Sequence, residues 1–235
     1  MKHAAQGRYV IGIAGGSASG KTSFLRQMEE EMPKGSICMV SQDNYYKPKA
    51  EQKRDSQGEV NYDLPTSIDQ TVFQRDVQAL IRGEAIQKLE YTFNTPGKEP
   101  QVITVEPAPI IVVEGLFVFH YKEIRDLLDL RVYLDVREEI KLQRRIQRDA
   151  EERGYSEQTV RYQWDHHVLP SYKKFLKPYR DEAHVIITNN ITYDKGLLVL
   201  CDHLRYRLGT DLMRSSNSEG VIGAAESDTH SLKIR

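Results

Sequence analysis

Neither sign of charge is in excess: 33 Lys and Arg stand against 34 Asp and Glu, a formal net charge of −1. A balanced chain carries no global basic field, which argues against a nucleic-acid partner. Cysteine is scarce. Cys38, in an apolar run, and Cys201, in a helical pattern, have neither redox nor metal-ligand spacing, and are read as small core residues in a reducing compartment rather than as a disulfide. No apolar run reaches the roughly 18 residues of a membrane span, and residues 1–8 are too short and polar for a secretory signal. These absences predict a cytoplasmic chain with no membrane partner. No internal repeat is visible. No N-K-x-D motif occurs, and the single D-x-x-G match, Asp55-Ser56-Gln57-Gly58, lies in a polar stretch rather than at a strand end. A guanine-nucleotide switch is therefore disfavoured.

What is present is concentrated in residues 9–32. An apolar run (Tyr9, Val10, Ile11, Gly12, Ile13) leads into Gly15-Gly16-Ser17-Ala18-Ser19-Gly20-Lys21-Thr22, which fits G-x-x-x-x-G-K-[ST]. A helical pattern through Phe24, Leu25 and Met28 follows. Strand, glycine-rich loop and helix is the context this motif requires. Small residues let successive backbone N–H groups point at phosphate oxygens, and the helix start adds partial positive charge. Lys21 is placed to reach the outer phosphates and the Thr22 hydroxyl to ligate Mg²⁺.

The remaining pattern alternates strand and helix. Buried-strand signals occur at 36–41, 110–115, 130–136 and 184–188, with helical spacing at 68–81, 121–128, from 137 to 153, from 156 to about 169, and from 194 to a stop at Gly209. Pro170 is expected to interrupt or kink its helix. Residues 85–93 and 102–105, separated by Asn94-Thr95-Pro96-Gly97, read as an inserted hairpin. The polar run 47–63 reads as a mobile surface segment, and the Ser/Gly/Asn-rich 214–235 as a flexible tail beyond a domain at 1–213. The expected architecture is a three-layer α/β fold with a mainly parallel sheet, placing Gly15, Asp43, Glu114 and Asp135 along the rim formed by the strand ends.

Several residues then carry two readings each. Glu114 ends a run of β-branched residues, where a phosphate-loop protein keeps its Mg²⁺ carboxylate, but a strand end also simply meets solvent. Asp43 is either the acceptor of a hydroxyl proton or a turn former in Asp43-Asn44. Tyr45 and Tyr46 either stack on a ligand or pack. Arg144, Arg145, Arg148 and Arg153 either close over phosphate or solvate a helix rich in Glu and Asp. His166-His167 does not suggest a metal site, because adjacent helical residues point about 100° apart.

With the loop, Ser41-Gln42-Asp43-x-Tyr45-Tyr46, Tyr62-Asp63, Tyr91-x-Phe93, Val113-Glu114-Gly115 and Arg144-Arg145-x-x-Arg148-Asp149 in this order, the chain resembles the uridine/cytidine kinases of the uridine kinase and phosphoribulokinase family over about residues 9–209. The resemblance implies a P-loop NTPase fold with a hairpin insertion at about 85–105 and a helical lid at about 137–177. It implies transfer of the γ-phosphate of ATP, with GTP as an alternative donor, to the 5′-hydroxyl of uridine or cytidine, giving UMP or CMP in pyrimidine salvage, with Mg²⁺ as cofactor. It makes Asp43 the general base, with Lys21, Arg145 and Arg148 catalytic and Gly15 to Thr22 plus Arg153 at ATP. Thr22 and Glu114 hold the metal. Asp63, Tyr46, Tyr91, Phe93, Arg145 and Gln163 hold the nucleoside. A homo-oligomer is also implied. Two positions depart from the pattern: 94–97 lacks the usual histidine, and Tyr155 replaces an arginine. Both concern the acceptor, so a same-fold kinase of a sugar phosphate or pantothenate-like hydroxyl is the alternative.

Overall fold

The computed structural model describes residues 7–92 and 99–222, with side chains described through residue 209. In chain order the elements are β1 (Tyr9–Gly15), α1 (Lys21–Glu31), β2 (Ile37–Ser41), α2 (Gln70–Arg82), β3 (Ile86–Leu89), β4 (Val102–Val105), β5 (Ile110–Gly115), α3 (Lys122–Arg125), β6 (Leu130–Asp135), α4 (Glu138–Arg153), α5 (Glu157–Gln163), α6 (Leu169–Ser171), β7 (Val185–Thr188) and α7 (Asp194–Ile222). Five strands form one sheet in the order β2-β5-β1-β6-β7, and every neighbouring pair is parallel. The β3–β4 hairpin is a separate antiparallel ribbon, as the turn cluster between its strands predicted.

Strand periodicity divides the core into two layers. Along β5, Ile110 and Val112 point to the side of Phe24 and Met28 of α1 and Leu197, Leu200 and Leu204 of α7. Ile111 and Val113 point to the other side, with Phe73, Val77 and Leu80 of α2. Each is essentially inaccessible, and burying an aliphatic chain of this size stabilises the fold by about 1.5–3 kcal/mol. In β1, Gly12 faces the Leu128 and Phe119 side chains. A Cβ there would come within 2.4 Å of Leu128 Cδ1, so Gly12 lets the turn after α3 pack onto the sheet. Parallel pairing also brings the strand ends to one edge: Ser41 is in register with Glu114, and Glu114 with Ile13. That edge is the rim the alternation of elements predicted.

Four expectations are corrected. Helical backbone continues past Pro170, because π-turns at Trp164–Val168 and Tyr172–Leu176 flank α6; the wider hydrogen-bond spacing absorbs the missing proline N–H. Helix α7 runs through Gly209, since a single exposed glycine weakens a helix by only about 1 kcal/mol against alanine. Its backbone is helical to Ile222, covering 214–222 of the expected tail; residues 223–235 lie outside the described residues, as do Phe93 and the 94–97 turn. The segment after residue 120 is helical only at Lys122–Arg125. Finally, the polar run 47–63 is anchored. Gln52 is 7% exposed and donates to the Lys47 and Ser67 carbonyls, while Arg54 and Val60 form a β-bridge.

Candidate active site

The phosphate loop joins the end of β1 to the start of α1. Gly20, at φ 91°, is the residue before the helix, and a Cβ there would lie 2.5 Å from Asn189 Nδ2. Asn189, just past β7, donates to the Ser19 carbonyl at 2.9 Å and so braces the loop from below. Ala18 takes a left-handed conformation at φ 58°, a strained geometry for a residue with a side chain. No side chain caps α1 and no acidic residue occupies its first turn. Its leading N–H groups therefore remain available to an anion. The Lys21 ammonium reaches back to the Gly15 and Gly16 carbonyls at 3.0 and 3.3 Å. Burial lowers its pKa, against the opposing pull of Glu114 and Asp43. Thr22 is exposed beside it.

Two carboxylates face that lysine. Asp43 lies in the single turn Gln42–Tyr45 that follows β2, and Glu114 lies on β5. Ser41 ties them together: its hydroxyl donates to Glu114 Oε1 at 2.5 Å and accepts from the Asp43 backbone N–H at 3.3 Å. Burial first, then Asp43, pushes Glu114 up to about 7, with Lys21 and Ser41 pulling the other way. Burial likewise raises Asp43, opposed by Lys21, Arg148 and Arg153 and reinforced by Asp63. Carboxylate crowding of this kind is relieved by a divalent cation. Glu114 together with the Thr22 hydroxyl is the hard-oxygen donor set that Mg²⁺ prefers when phosphates and waters complete its shell.

Next to Asp43 in the chain, Asn44 Oδ1 accepts the Tyr91 N–H at 3.0 Å, docking the hairpin onto the Asp43 turn. Tyr46 lies between Tyr91 and Tyr62, with ring centroids 5.1 and 5.9 Å away. Burial, with Asp43 and Asp63 nearby, raises the Tyr46 hydroxyl well above its ordinary pKa. Tyr91, Asp43 and Asp63 therefore gather around Tyr46, whereas Tyr45 donates to Asp76 in the core. Phe93, expected at the nucleoside with them, lies outside the described residues.

The arginines of α4 separate into two groups. Arg144 donates to the Asn189 carbonyl and supports the loop's brace. Arg145, Arg148 and Arg153 all converge on Asp149, at 3.2, 2.8 and 3.1 Å. Asp149 is fully buried. Read from composition it was one more acid solvating a charged helix; in three dimensions it gathers three guanidiniums. The signal was present in its spacing, four residues from Arg145 and four from Arg153. Arg145 extends further, donating to Ser17 Oγ at 2.9 Å and to Gln163 Oε1 at 3.1 Å. It thus joins the loop, the lid and the glutamine expected at the nucleoside.

Sequence reasoning missed Lys141, Ser41 and Asn189. Lys141 is 2% exposed, its ammonium 3.5 Å from the Tyr172 ring centroid and beside Gly16; burial lowers its pKa to about 8. A lysine between a helix's acidic and basic neighbours gives no hint that it faces the loop. Asp135, expected at the rim, is neutralised by Arg180.

The sequence model of the phosphoribulokinase / uridine kinase family matches residues 10–194. A uridine kinase of Brevibacillus brevis is 36% identical over 178 residues, 76% of this chain and 83% of that protein. A uridine kinase of Ligilactobacillus salivarius is 33% identical over 202 residues, 84% of this chain and 95% of that one. Among solved structures, phosphoribulokinase from Rhodobacter spheroides superposes with a TM-score of 0.61 at 16% identity, covering 78% of this chain and 70% of that chain, a likeness of fold. Phosphate loop, paired carboxylates and the arginines gathered on Asp149 thus sit on a chain that belongs to the phosphoribulokinase / uridine kinase family.

Proposed function

We propose that the protein is an ATP-dependent kinase that transfers the γ-phosphate to the 5′-hydroxyl of uridine or cytidine. The observation that carries this reading is the placement of Asp43 beside Glu114, both held by the Ser41 hydroxyl at the strand ends next to the phosphate loop. A carboxylate in that position serves a hydroxyl attacking phosphorus. In the step, a bond forms between the acceptor oxygen and the γ-phosphorus as the bond from that phosphorus to the β,γ-bridging oxygen breaks. The hydroxyl proton passes to Asp43, and ADP leaves with the electron pair.

The residues divide the work accordingly. Loop N–H groups from Gly15 to Thr22 hold the phosphates in place, and Lys21 balances the charge of the outer ones. Arg145, Arg148 and Arg153, preset by Asp149, bring cations over the transferring group, and arginines supplied this way are worth about 10³-fold or more in related chemistry. Thr22 and Glu114 would hold Mg²⁺, which supplies charge neutralisation across the β- and γ-phosphates. Asp63 grips the ribose hydroxyls, Tyr91 serves the base pocket, and Tyr46 and Gln163 help hold the nucleoside. Burial of Asp43 raises its proton affinity toward that of a usable base.

A second reading, a same-fold kinase of another hydroxyl compound, is favoured by Tyr155. It stands where the resemblance expects an arginine, is 41% exposed, and brings no cation. One assay separates the two: purified protein, ATP and Mg²⁺ with a panel of nucleosides, sugar phosphates and pantothenate. Formation of UMP or CMP is expected. Turnover of another acceptor with none of any nucleoside overturns the first reading and selects the second.

A further inference from the structure

The polar run 47–63 carries Asp63, and its tip carries Asp55, whose side chain crosses to the lid. Asp55 Oδ2 accepts from the Tyr162 hydroxyl at 2.6 Å and lies 2.7 Å from His167 Nε2. Its other oxygen accepts the N–H groups of Gln57 and Glu59, both at 2.9 Å. One carboxylate oxygen thus closes the Asp55–Gly58 turn, and the other binds a helix more than a hundred residues away in sequence. The D-x-x-G match that is out of place for a switch forms this turn.

Both ends of the contact lead to the acceptor. From Asp55, the Arg54–Val60 bridge and the Asn61 N–H to Lys53 carbonyl bond at 2.8 Å stiffen the run, and Asn61 Oδ1 accepts the Asp63 N–H at 3.0 Å. From Tyr162, the next residue is Gln163, bonded to Arg145. His167 is 3% exposed and its ring packs edge-on to Tyr162 at 5.9 Å. A turn-forming surface aspartate has no need of a buried imidazole and a phenol from another part of the chain. Hydrogen bonding from Tyr162 above all holds the Asp55 carboxyl well below the usual range.

We propose that Asp55, Tyr162 and His167 are positioning residues: a latch that holds the nucleoside-gripping run 47–63 against the lid, so that Asp63 and Gln163 face the same acceptor. The proposal rests on the acceptor reading above, but the latch itself is tested without it. Lys53 is exposed, and trypsin cleavage after it reports release of the run. In the ligand-free full chain, the double variant Tyr162→Phe/His167→Gln is expected to be cleaved there about tenfold faster than the parent, as loss of hydrogen bonds to a charged group implies. Asp55→Asn changes the residue near the scissile bond, so it is used for kinetics alone. In it and in the double variant, KM for uridine is expected to rise about tenfold while kcat and KM for ATP stay within about twofold.

Unchanged cleavage and unchanged KM overturn the latch. So does a parallel fall in kcat and rise in both KM values with a lower melting temperature, which marks a merely structural contact. If the parent phosphorylates no nucleoside, the acceptor reading fails while the cleavage rate still decides whether the latch exists.

Discussion

Glu114 makes opposite demands on stability and on catalysis, and replacing it exposes both. Its carboxyl is pushed from 4.5 up to about 7 by burial and by Asp43. Between those values the folded protein holds a proton that the unfolded chain releases, so stability is fully present below about pH 4.5 and is lost as pH rises through about 7. At about 1.4 kcal/mol per pH unit, the loss is about 3 kcal/mol, or roughly 6–12 °C in melting temperature for a chain of this size. Glu114→Gln removes the titration and keeps an oxygen for the Ser41 hydroxyl. In ligand-free melts from pH 4.5 to 8, the variant is expected to match the parent at the acid end and to exceed it by several degrees at pH 7.5. Asp43 titrates together with Glu114, so the difference between the curves reports the pair rather than Glu114 alone. The same variant is expected to lose about 10² or more in turnover, because the carboxylate proposed to hold Mg²⁺ is gone. Melting curves that stay parallel across the range would refute the account of Glu114 as a carboxylate crowded into ionic strain.

Three further outcomes follow from the site. Asp43→Asn should leave ATP affinity nearly intact, measured by calorimetry, and lower turnover by about 10² or more, since the proposed proton acceptor is lost and the phosphate cradle is kept. Asp149→Asn should destabilise the fold by about 3 kcal/mol in denaturant melts and weaken ATP binding, because three guanidiniums gathered on one buried carboxylate lose their common partner. Lys141→Met tests the lysine beside Gly16: burial lowers its pKa to about 8, so parent KM for ATP should rise as pH passes 8 and the ammonium discharges, whereas the variant should show a weak and pH-independent affinity.

Local chemistry was enough to read much of this molecule from its residues. The phosphate loop was legible because its function resides in the backbone, and glycines at set intervals between an apolar run and a helix specify that backbone directly. Strand ends were legible for the same reason: a buried parallel strand announces itself as a β-branched run, and Glu114 closing one is conspicuous. The alternation of such runs with helical spacing determined a parallel sheet and therefore a shared rim. Pro170 and Gly209 misled because each weakens a helix only locally, and neighbouring packing or a π-turn makes up the loss.

What tertiary structure alone decided are the roles set by partners distant in the chain. Asp149 read as a solvated acid until packing buried it completely, although its three arginines lie within four residues of it on the same helix. Lys141 became a neighbour of Gly16 only when α4 lay across the loop, and Ser41 became the link between Glu114 and Asp43 only through strand register. Asp55 showed nothing but a turn until Tyr162 and His167 arrived from the lid. Composition and period describe what a residue does for its own segment; a charge acquires its partner, and its proton affinity, from whatever the fold brings within a few ångströms.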